Sequence, residues 1–192
     1  MHSKRQNQII EETIKLIHTK GIQGLTIKNI SAAVGVTEAA IYRHFKSKDE
    51  ILSTILDDFR LKLDERSISI REEDSTAIEK LKTFLKQLID MFCNNPYIVS
   101  VIFSDEIFKN KDVLHNKIIH LIGQNNECFR LIVLEGQKTK EIRNDINANE
   151  LAIIIMGSFR MVVKNWQLNE QSYSLKSRGN EFFKSLFKII SA

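Results

Sequence analysis

Residues 25–52, LTIKNISAAVGVTEAAIYRHFKSKDEIL, decide the fold that we predict for this chain. Thr26 is a residue type that caps helix N-termini, and the apolar residues after it recur at helical spacing until Gly35. Thr37 can cap a second short helix after a turn of only a few residues. Two short helices joined by a tight glycine-containing turn form a helix-turn-helix, whose second helix enters the major groove of DNA.

The end of this stretch changes from basic to acidic within a few residues. Arg43 and Lys48 are cations that can contact phosphates or bases, whereas the two residues after Lys48 are acids. Ser47 and Glu50 predict a capping box for a fourth helix, where carboxylates suit the positive end of the helix dipole. A helix that faces DNA needs cations, and the start of the next helix needs acids. A DNA-binding helix-turn-helix therefore explains both the basic run and the two acids that follow it. The alternative is a helical hairpin with a solvated basic face.

The charge of the chain is unevenly distributed. The formal net charge of the 192 residues is +4, yet residues 1–48 hold eight Lys and Arg against three Asp and Glu. A basic segment on a near-neutral remainder is typical of a protein that neutralises the phosphates of a nucleic acid or of a membrane surface. The alternative is that these cations are solvated surface residues without an anionic partner.

Apolar residues recur at helical spacing through nearly the whole chain, and strand signals are almost absent. The pattern therefore predicts an all-α fold. The first helix begins near residue 8 and ends at Gly21, and the fourth runs from Ser47 into the seventies. Asn147 and Glu150 predict another capping box. Further helices are predicted over residues 78–92, 96–108, 112–135, 151–166 and 175–190.

Several classes of protein are excluded by the residues present. No apolar stretch is long enough for a signal-peptide core or a membrane span, so we expect a cytoplasmic protein. Cys93 and Cys128 lack CxxC or zinc-finger spacing, so we expect two buried free thiols. No two of the five candidate metal ligands between residues 112 and 128 are four residues apart. Since no nucleophile motif or phosphate-binding glycine loop occurs either, we expect no metal, no cofactor and no enzyme activity.

The stretch quoted above resembles the DNA-binding signature of the TetR/AcrR family of bacterial transcriptional regulators. The resemblance includes the aromatic-basic YRHF at residues 42–45 and the helix start SKDE at residues 47–50. Residues 134–166 resemble the loop and the penultimate helix of many members. The resemblance implies about nine helices in two domains. These are a helix-turn-helix DNA-binding domain over residues 1–48 and a helical ligand-binding and dimerisation domain over residues 49–192.

The resemblance also implies which residues touch DNA. Thr26 and Lys48 correspond to phosphate contacts, and the small residues at 39 and 40 let the second helix approach the groove closely. Glu38 departs from the small or basic residue often found there, so we expect it either to accept from a cytosine amine or to point away. The expected DNA-binding residues are Thr26, Lys28, Thr37, Ala39, Tyr42, Arg43, His44 and Lys48.

The rest of the chain supplies candidates for a dimer interface and for a ligand pocket. The penultimate helix is apolar on nearly every side and must be covered on two sides, so we expect the last two helices to form the interface. Ordinary core is the alternative for both sets of residues. The expected interface residues are Leu151, Ile155, Phe159, Val162, Phe182, Leu186 and Ile190. The expected pocket residues are Phe84, Leu88, Phe92, Ile102, Phe103, His120, Ile122, Phe129, Met156 and Asn165, with Asn126 as a further polar candidate.

Together, these expectations predict a homodimeric repressor that an unidentified small molecule releases from double-stranded DNA. A symmetric dimer implies a roughly palindromic operator with half-sites about 10 bp apart. Ligand binding is expected to shift the fourth helix and to change the separation of the two DNA-binding heads. One alternative is a related DNA-binding protein with an architectural or cell-division role and no effector. The other is a small helical enzyme with an incidental basic face.

Overall fold

The computed structural model describes residues 2–108 and 112–192, and it confirms the predicted all-α fold. The only β pairing among these residues is a single bridge between Ile142 and Ser191. A 3-10 turn at Ile22–Gly24 follows the first helix. The α-helices of the described residues are α1 (Lys4–Lys20), α2 (Ile27–Val34), α3 (Glu38–Tyr42), α4 (Lys48–Glu72), α5 (Ala77–Asn94), α6 (Ile98–Ile102), α7 (Asp105–Phe108), α8 (Asp112–Lys138), α9 (Ala148–Leu168) and α10 (Leu175–Ile190).

The chain divides into two compact units. The first unit comprises residues 1–61 and 97–120, and the second unit comprises residues 62–96 and 121–192. In the first unit, α1 packs against α2 and α6, and α2 packs against α3. In the second unit, α10 packs against α5 and α9. No helix in the described part of the chain is long and apolar enough to cross a membrane.

The predicted starts of α2 and α3 and the predicted end of α2 are confirmed by the backbone. The Thr26 hydroxyl accepts a hydrogen bond from the Asn29 amide at 3.1 Å, and the Thr37 hydroxyl accepts one from the Ala40 amide at 3.2 Å. Gly35 ends α2 in the left-handed region, with a φ of 76°. Glycine adopts this conformation without the steric cost that a Cβ adds. The helix-turn-helix therefore depends on two capping threonines, one at the start of each helix, and on Gly35 in the turn between them.

A capping box consists of two hydrogen bonds, and the structure confirms only one of them in each predicted box. This is the bond from the glutamate amide to the capping side chain. The Glu50 amide donates to the Ser47 hydroxyl at 3.2 Å. The Glu50 carboxylate, however, accepts from the amide of Lys46, one residue earlier than a capping box requires. The Glu150 amide likewise donates to the Asn147 side chain at 2.9 Å. Two complete boxes that we did not predict join Ser3 with Gln6 and Thr76 with Glu79.

Two predicted helices are shorter in the structure. The pattern extended α3 to Phe45, but the helix ends at Tyr42, where the Ile41 carbonyl accepts from two successive amides, as carbonyls at helix ends often do. The single helix predicted over residues 96–108 begins two residues later and is divided into α6 and α7. Ser104 lies between these two helices, and serine favours helix starts over helix interiors.

Aromatic contacts and one buried lysine organise the second unit. The rings of Phe84 and Phe129 stack with their centroids 5.0 Å apart. Lys80 is only 5% exposed, and its ammonium donates to the Glu135 carboxylate at 2.8 Å, so the buried charge is paired. The same ammonium lies 3.5 Å from the carbonyl oxygen of Arg71, at the C-terminal end of α4, where the helix dipole favours cations. Lys80 thus joins α4, α5 and α8 within this unit.

The two cysteines are free thiols, and one of them differs from the expectation. Cys128 is buried, and this burial raises the pKa of its thiol to about 11, so the thiol stays protonated at neutral pH. Cys93 is half-buried rather than buried, and its partial burial also raises the pKa of its thiol. Within the described residues, no group of His, Cys, Asp and Glu side chains is arranged to hold a metal ion.

Two glycine substitutions test the importance of the turn. Gly35→Ala places a Cβ on a left-handed backbone, and we expect it to lower the free energy of unfolding by about 1 kcal/mol or more. Gly123→Ala is the matched control, because Gly123 lies inside α8 with open space around its Cα and an alanine there should raise stability by about 0.5–1 kcal/mol. Urea unfolding followed by circular dichroism measures both. Equal stability of Gly35→Ala and the unsubstituted protein would contradict the role given to this turn.

Candidate DNA-binding surface

The eight residues expected to contact DNA all lie in the first unit, on or beside α2, α3 and the first turn of α4. The exposed side chains are those of Thr26, Lys28, Thr37, Ala39, Tyr42 and Arg43, and the half-buried ones are those of His44 and Lys48. The Tyr42 ring is 53% exposed. A large aromatic ring this exposed has much of its area available to a partner. The predicted set is thus accessible, although its contact with DNA stays a prediction.

Lys48 ties the start of α4 to the start of α2. Its ammonium donates to the Leu25 carbonyl oxygen at 3.1 Å, and Leu25 itself is fully buried. Thr26 follows Leu25 in the chain, so the two residues predicted to contact phosphate lie at one corner of the first unit. An ammonium has three donors, and the bond to Leu25 uses one of them. Lys48 can therefore hold this corner together and still donate to a phosphate oxygen.

The capping threonines can serve the fold and a DNA contact together. The hydroxyl oxygens of Thr26 and Thr37 accept from backbone amides, as described above. A hydroxyl also carries a hydrogen that can be donated. Donation of this hydrogen to a phosphate oxygen is compatible with the cap. Both threonines are exposed, so neither hydroxyl needs to leave its helix terminus to meet a ligand.

Glu38 has a structural explanation that its sequence position did not reveal. It is exposed in the first turn of α3, where a carboxylate is stabilised by the positive end of the helix dipole. Lys46 was left out of the predicted set, yet its side chain is exposed beside Phe45 and Ser47 and extends the same basic segment. The signal for Lys46 was its place within the basic run before α4. We therefore add Lys46 to the candidate DNA-contacting residues.

The residues expected to line a ligand pocket do not form one set. Buried in the second unit are Phe84, Leu88, Phe92 and Phe129, and Met156 is half-buried there. Members of the first unit are Ile102, Phe103 and His120, the last of them exposed. Exposed residues of the second unit are Ile122 and Asn165, and Asn126 is half-buried. The apolar residues of the second unit are therefore the part of the set that is suited to enclose an apolar ligand.

The residues expected at a dimer interface lie mostly inside the protomer. Six of the seven are buried, namely Leu151, Ile155, Phe159, Val162, Leu186 and Ile190, whereas Phe182 is half-buried. A side chain that the protomer already buries has little surface to offer a second copy. The exposed apolar residues of α9 include Ile154, Met161 and Leu168, which recur every seven residues. This spacing places them on one stripe of the helix, and we did not predict it.

Two family models match the helix-turn-helix and the helices that follow it. Residues 9–55 match the model for bacterial regulatory proteins of the tetR family, and residues 58–189 match the model for the C-terminal region of YsiA-like proteins. The chain belongs to the tetR family of bacterial regulatory proteins. This membership confirms the predicted family and the predicted function of a DNA-binding transcriptional regulator.

Relatives with different names match this tetR-family chain at similar identity. The HTH-type transcriptional repressor DhaR of Mycobacterium sp. is 25% identical over 81% of this chain and 78% of its own length. The fatty acid metabolism regulator protein of Bacillus subtilis is 24% identical, and the match covers 93% of this chain and 92% of that protein. The nucleoid occlusion factor SlmA of Haemophilus influenzae is also 24% identical, over 96% of this chain and 86% of its own length.

Solved structures share the fold along nearly the whole chain. The fatty acid degradation regulator FadR of Bacillus halodurans superposes with a TM-score of 0.83 at 19% identity, over 97% of this chain and 96% of that chain. The regulator FadR of Bacillus subtilis, solved in complex with stearoyl-CoA, superposes with a TM-score of 0.78 at 22% identity. That match covers 94% of this chain and 97% of the B. subtilis chain. These superpositions confirm the helical fold of the tetR-family chain.

Substitutions at Arg43 and Lys48 separate base recognition from phosphate contact. We expect Arg43→Ala to cost about 1–3 kcal/mol of operator binding and to reduce discrimination against a scrambled duplex. We expect Lys48→Ala to weaken both duplexes alike and to reduce the slope of log affinity against log salt by about 1. Fluorescence anisotropy on an operator obtained by in vitro selection measures both effects.

The control for these two variants is Lys188→Ala, which removes an exposed cation near the C-terminal end of α10 in the second unit. It should bind both duplexes like the unsubstituted protein. Circular dichroism establishes that Lys48→Ala is folded, since this variant also loses the bond to Leu25. Operator affinity of Arg43→Ala equal to that of the control would exclude Arg43 from the DNA contact.

Proposed function

We propose that this chain is a cytoplasmic transcriptional repressor that a long-chain fatty acyl-CoA releases from its operator. The observation that carries the proposal is that fatty acid regulators of Bacillus align along nearly the whole chain in both sequence and structure. One of these regulators was solved with stearoyl-CoA. The named roles of the relatives are regulatory, which also supports a DNA-binding regulator rather than an enzyme.

The interior of the second unit is chemically suited to the acyl part of such a ligand. Its buried residues include the stacked Phe84 and Phe129 and the pair Phe92 and Phe159, whose ring centroids are 6.4 Å apart. Met156 is half-buried one turn before Phe159 on α9, and methionine is a flexible side chain that adapts to irregular apolar ligands. Burial of a long acyl chain among such residues gains about 0.8 kcal/mol per CH₂ group.

Dimerisation through α9 and α10 is the second part of the proposal. Ile154, Met161 and Leu168 form an exposed apolar stripe on α9, with the small Ser158 and the polar Asn165 between them. Phe182 and Ile189 are seven residues apart on α10, which packs against α9. Two such helices from each copy suit a symmetric four-helix bundle, because heptad spacing keeps an apolar seam facing its partner. A two-fold dimer would present two helix-turn-helix units to a roughly palindromic operator.

The double substitution Ile154→Glu with Met161→Glu tests the dimer face. Both side chains would carry an uncompensated charge into the interface, so we expect the dimer dissociation constant to rise about 100-fold or more. Ile68→Glu is the matched control, because Ile68 is an equally exposed isoleucine on α4. Sedimentation velocity over a concentration series measures the mass of each variant. A double variant that stays dimeric at the concentrations where the control does would place the interface elsewhere.

Stearoyl-CoA should release the protein from its operator. A ligand can lower the DNA affinity of the protein only by the ratio of the ligand's own affinities for the DNA-free and the DNA-bound protein. Allosteric couplings of about 1–3 kcal/mol change an affinity roughly 5–150-fold. We therefore expect operator anisotropy to fall as stearoyl-CoA is added. Coenzyme A alone and stearate alone are the controls, and each should be less effective. No release and no thermal stabilisation by acyl-CoA of any chain length would contradict the proposed effector.

The match to a nucleoid occlusion factor favours a second candidate function. SlmA of Haemophilus influenzae matches 96% of this chain, about as well as the fatty acid regulator does. This candidate predicts many binding sites spread over the genome and no dependence of DNA binding on acyl-CoA. Chromatin immunoprecipitation followed by sequencing distinguishes the two functions. A few sites upstream of genes would support the repressor, whereas a broad distribution would support the second candidate.

A further inference from the structure

Two buried amide oxygens in the second unit lack a hydrogen-bond donor. Among the residues that the structure describes, the buried side-chain oxygens without a partner belong to Thr13, Ser75, Gln87 and Asn125. Thr13 and Ser75 carry hydroxyls, which can rotate and can donate as well as accept. The side-chain oxygen of an amide can only accept. The oxygens of Gln87 and Asn125, both in the second unit, are therefore the two that require a donor from another group.

The two amides lie at about the same height on neighbouring helices. α5 and α8 are antiparallel, since the ion pair of the buried lysine and the stack of Phe84 on Phe129 join them at successive turns in opposite order. Gln87 follows Phe84 by three residues, and Asn125 precedes Phe129 by four. Residues at these spacings share a face of a helix. Both amides therefore lie one turn beyond the stacked rings.

The orientation of the Asn125 amide follows from its other contact. Its nitrogen lies 3.8 Å from the Met156 sulfur, on α9. A thioether sulfur accepts hydrogen bonds weakly and cannot donate one. The nitrogen is therefore the atom that faces the sulfur, and the oxygen is the atom that needs a donor. This contact places the Asn125 amide beside Met156, one of the residues expected to line a ligand pocket.

The two oxygens specify the kind of ligand group that they can bind. Both are uncharged acceptors, so a neutral N–H or O–H donor suits them. A carboxylate has only acceptors, and a buried ammonium ion would need a carboxylate to balance its charge. Phe84 and Phe129, one turn away, offer an apolar surface. This arrangement favours a ligand in which an apolar chain is followed by neutral hydrogen-bond donors.

We propose that Gln87 and Asn125 accept hydrogen bonds from the pantetheine arm of an acyl-CoA whose acyl chain packs beside Phe84 and Phe129. This arm follows the thioester sulfur and carries two amide N–H groups, so it supplies a neutral donor for each oxygen. The inference rests on the proposed acyl-CoA effector and adds the residues that recognise its arm. It also gives a reason for preferring the thioester over a free fatty acid, because a carboxylate at this place would meet two acceptors.

Apolar replacements of similar volume test the two acceptors separately from the fold. Gln87→Met and Asn125→Leu each remove an unpaired buried oxygen, so we expect the urea midpoint of the ligand-free protein to stay equal or to rise. Each variant should raise the dissociation constant for stearoyl-CoA about five-fold, because one hydrogen bond to the ligand is lost. Gln124→Met is the matched control, since Gln124 is an exposed glutamine on α8, and it should change neither quantity.

Three thioesters of the same fatty acid separate the amide contact from the packing of the acyl chain. Stearoyl-CoA carries both amide N–H groups, S-stearoyl-N-acetylcysteamine carries one, and S-butyl octadecanethioate carries none. Isothermal titration calorimetry, with the uncharged thioesters delivered from cyclodextrin, gives the dissociation constants. We expect both variants together to weaken binding of the first two ligands and to leave binding of the third unchanged. Such a double-mutant cycle isolates the coupling between the protein oxygens and the ligand amides.

Each outcome supports or overturns the inference. Weaker binding confined to the thioesters that carry an amide, at an undiminished urea midpoint, supports it. Unchanged affinity of both variants for stearoyl-CoA overturns it and leaves the proposed function intact. Equal weakening of all three thioesters, or a lower urea midpoint, would assign these side chains to packing and would also overturn it. Failure of the unsubstituted protein to bind stearoyl-CoA overturns the proposed function, and the inference with it.

Discussion

The helices that form the DNA-binding surface are too short to be stable alone. α2 has eight residues and α3 has five, whereas isolated helices shorter than about 12 residues are marginal in water. They depend on contacts at their ends, which are the threonine caps, the left-handed Gly35 and the bond from Lys48 to the Leu25 carbonyl. Thr26, Thr37 and Lys48 also carry the polar groups of the proposed DNA contact. The stability of this surface and its proposed function therefore use the same side chains.

Local chemistry could be predicted from the sequence, and distant partners could not. The caps at Thr26 and Thr37 act within three residues, so their signal is complete in a short window. Lys80 is different: it lies on the apolar stripe of α5, but its partner Glu135 is 55 residues away, so no short window contains the pair. The division of the helix predicted over residues 96–108 was missed because the apolar period continues across Ser104. The all-α fold was predictable because helical periodicity repeats in nearly every segment.

The ligand and dimer residues show where periodicity stops being informative. On a helix that is apolar on several sides, the sequence indicates that each side needs cover but not whether the protomer or a partner supplies it. Ile155 is fully buried and its neighbour Ile154 is nearly half exposed, although the two side chains are identical. Only the packing of α9 against other helices of the protomer distinguishes them. The heptad spacing of Ile154, Met161 and Leu168 was present in the sequence. The same helix also carries the apolar residues that pack into the core, and the sequence does not separate the two patterns.

Effector recognition must reside in a few side chains rather than in the fold. A repressor, a fatty acid regulator and a nucleoid occlusion factor match this chain at 24–25% identity, so the shared helices do not distinguish their roles. An apolar interior accepts many lipids, because hydrophobic burial is non-directional. Phosphate, in contrast, requires cations at fixed positions. Discrimination between a coenzyme A ester and a neutral lipid therefore needs charged residues outside the apolar core.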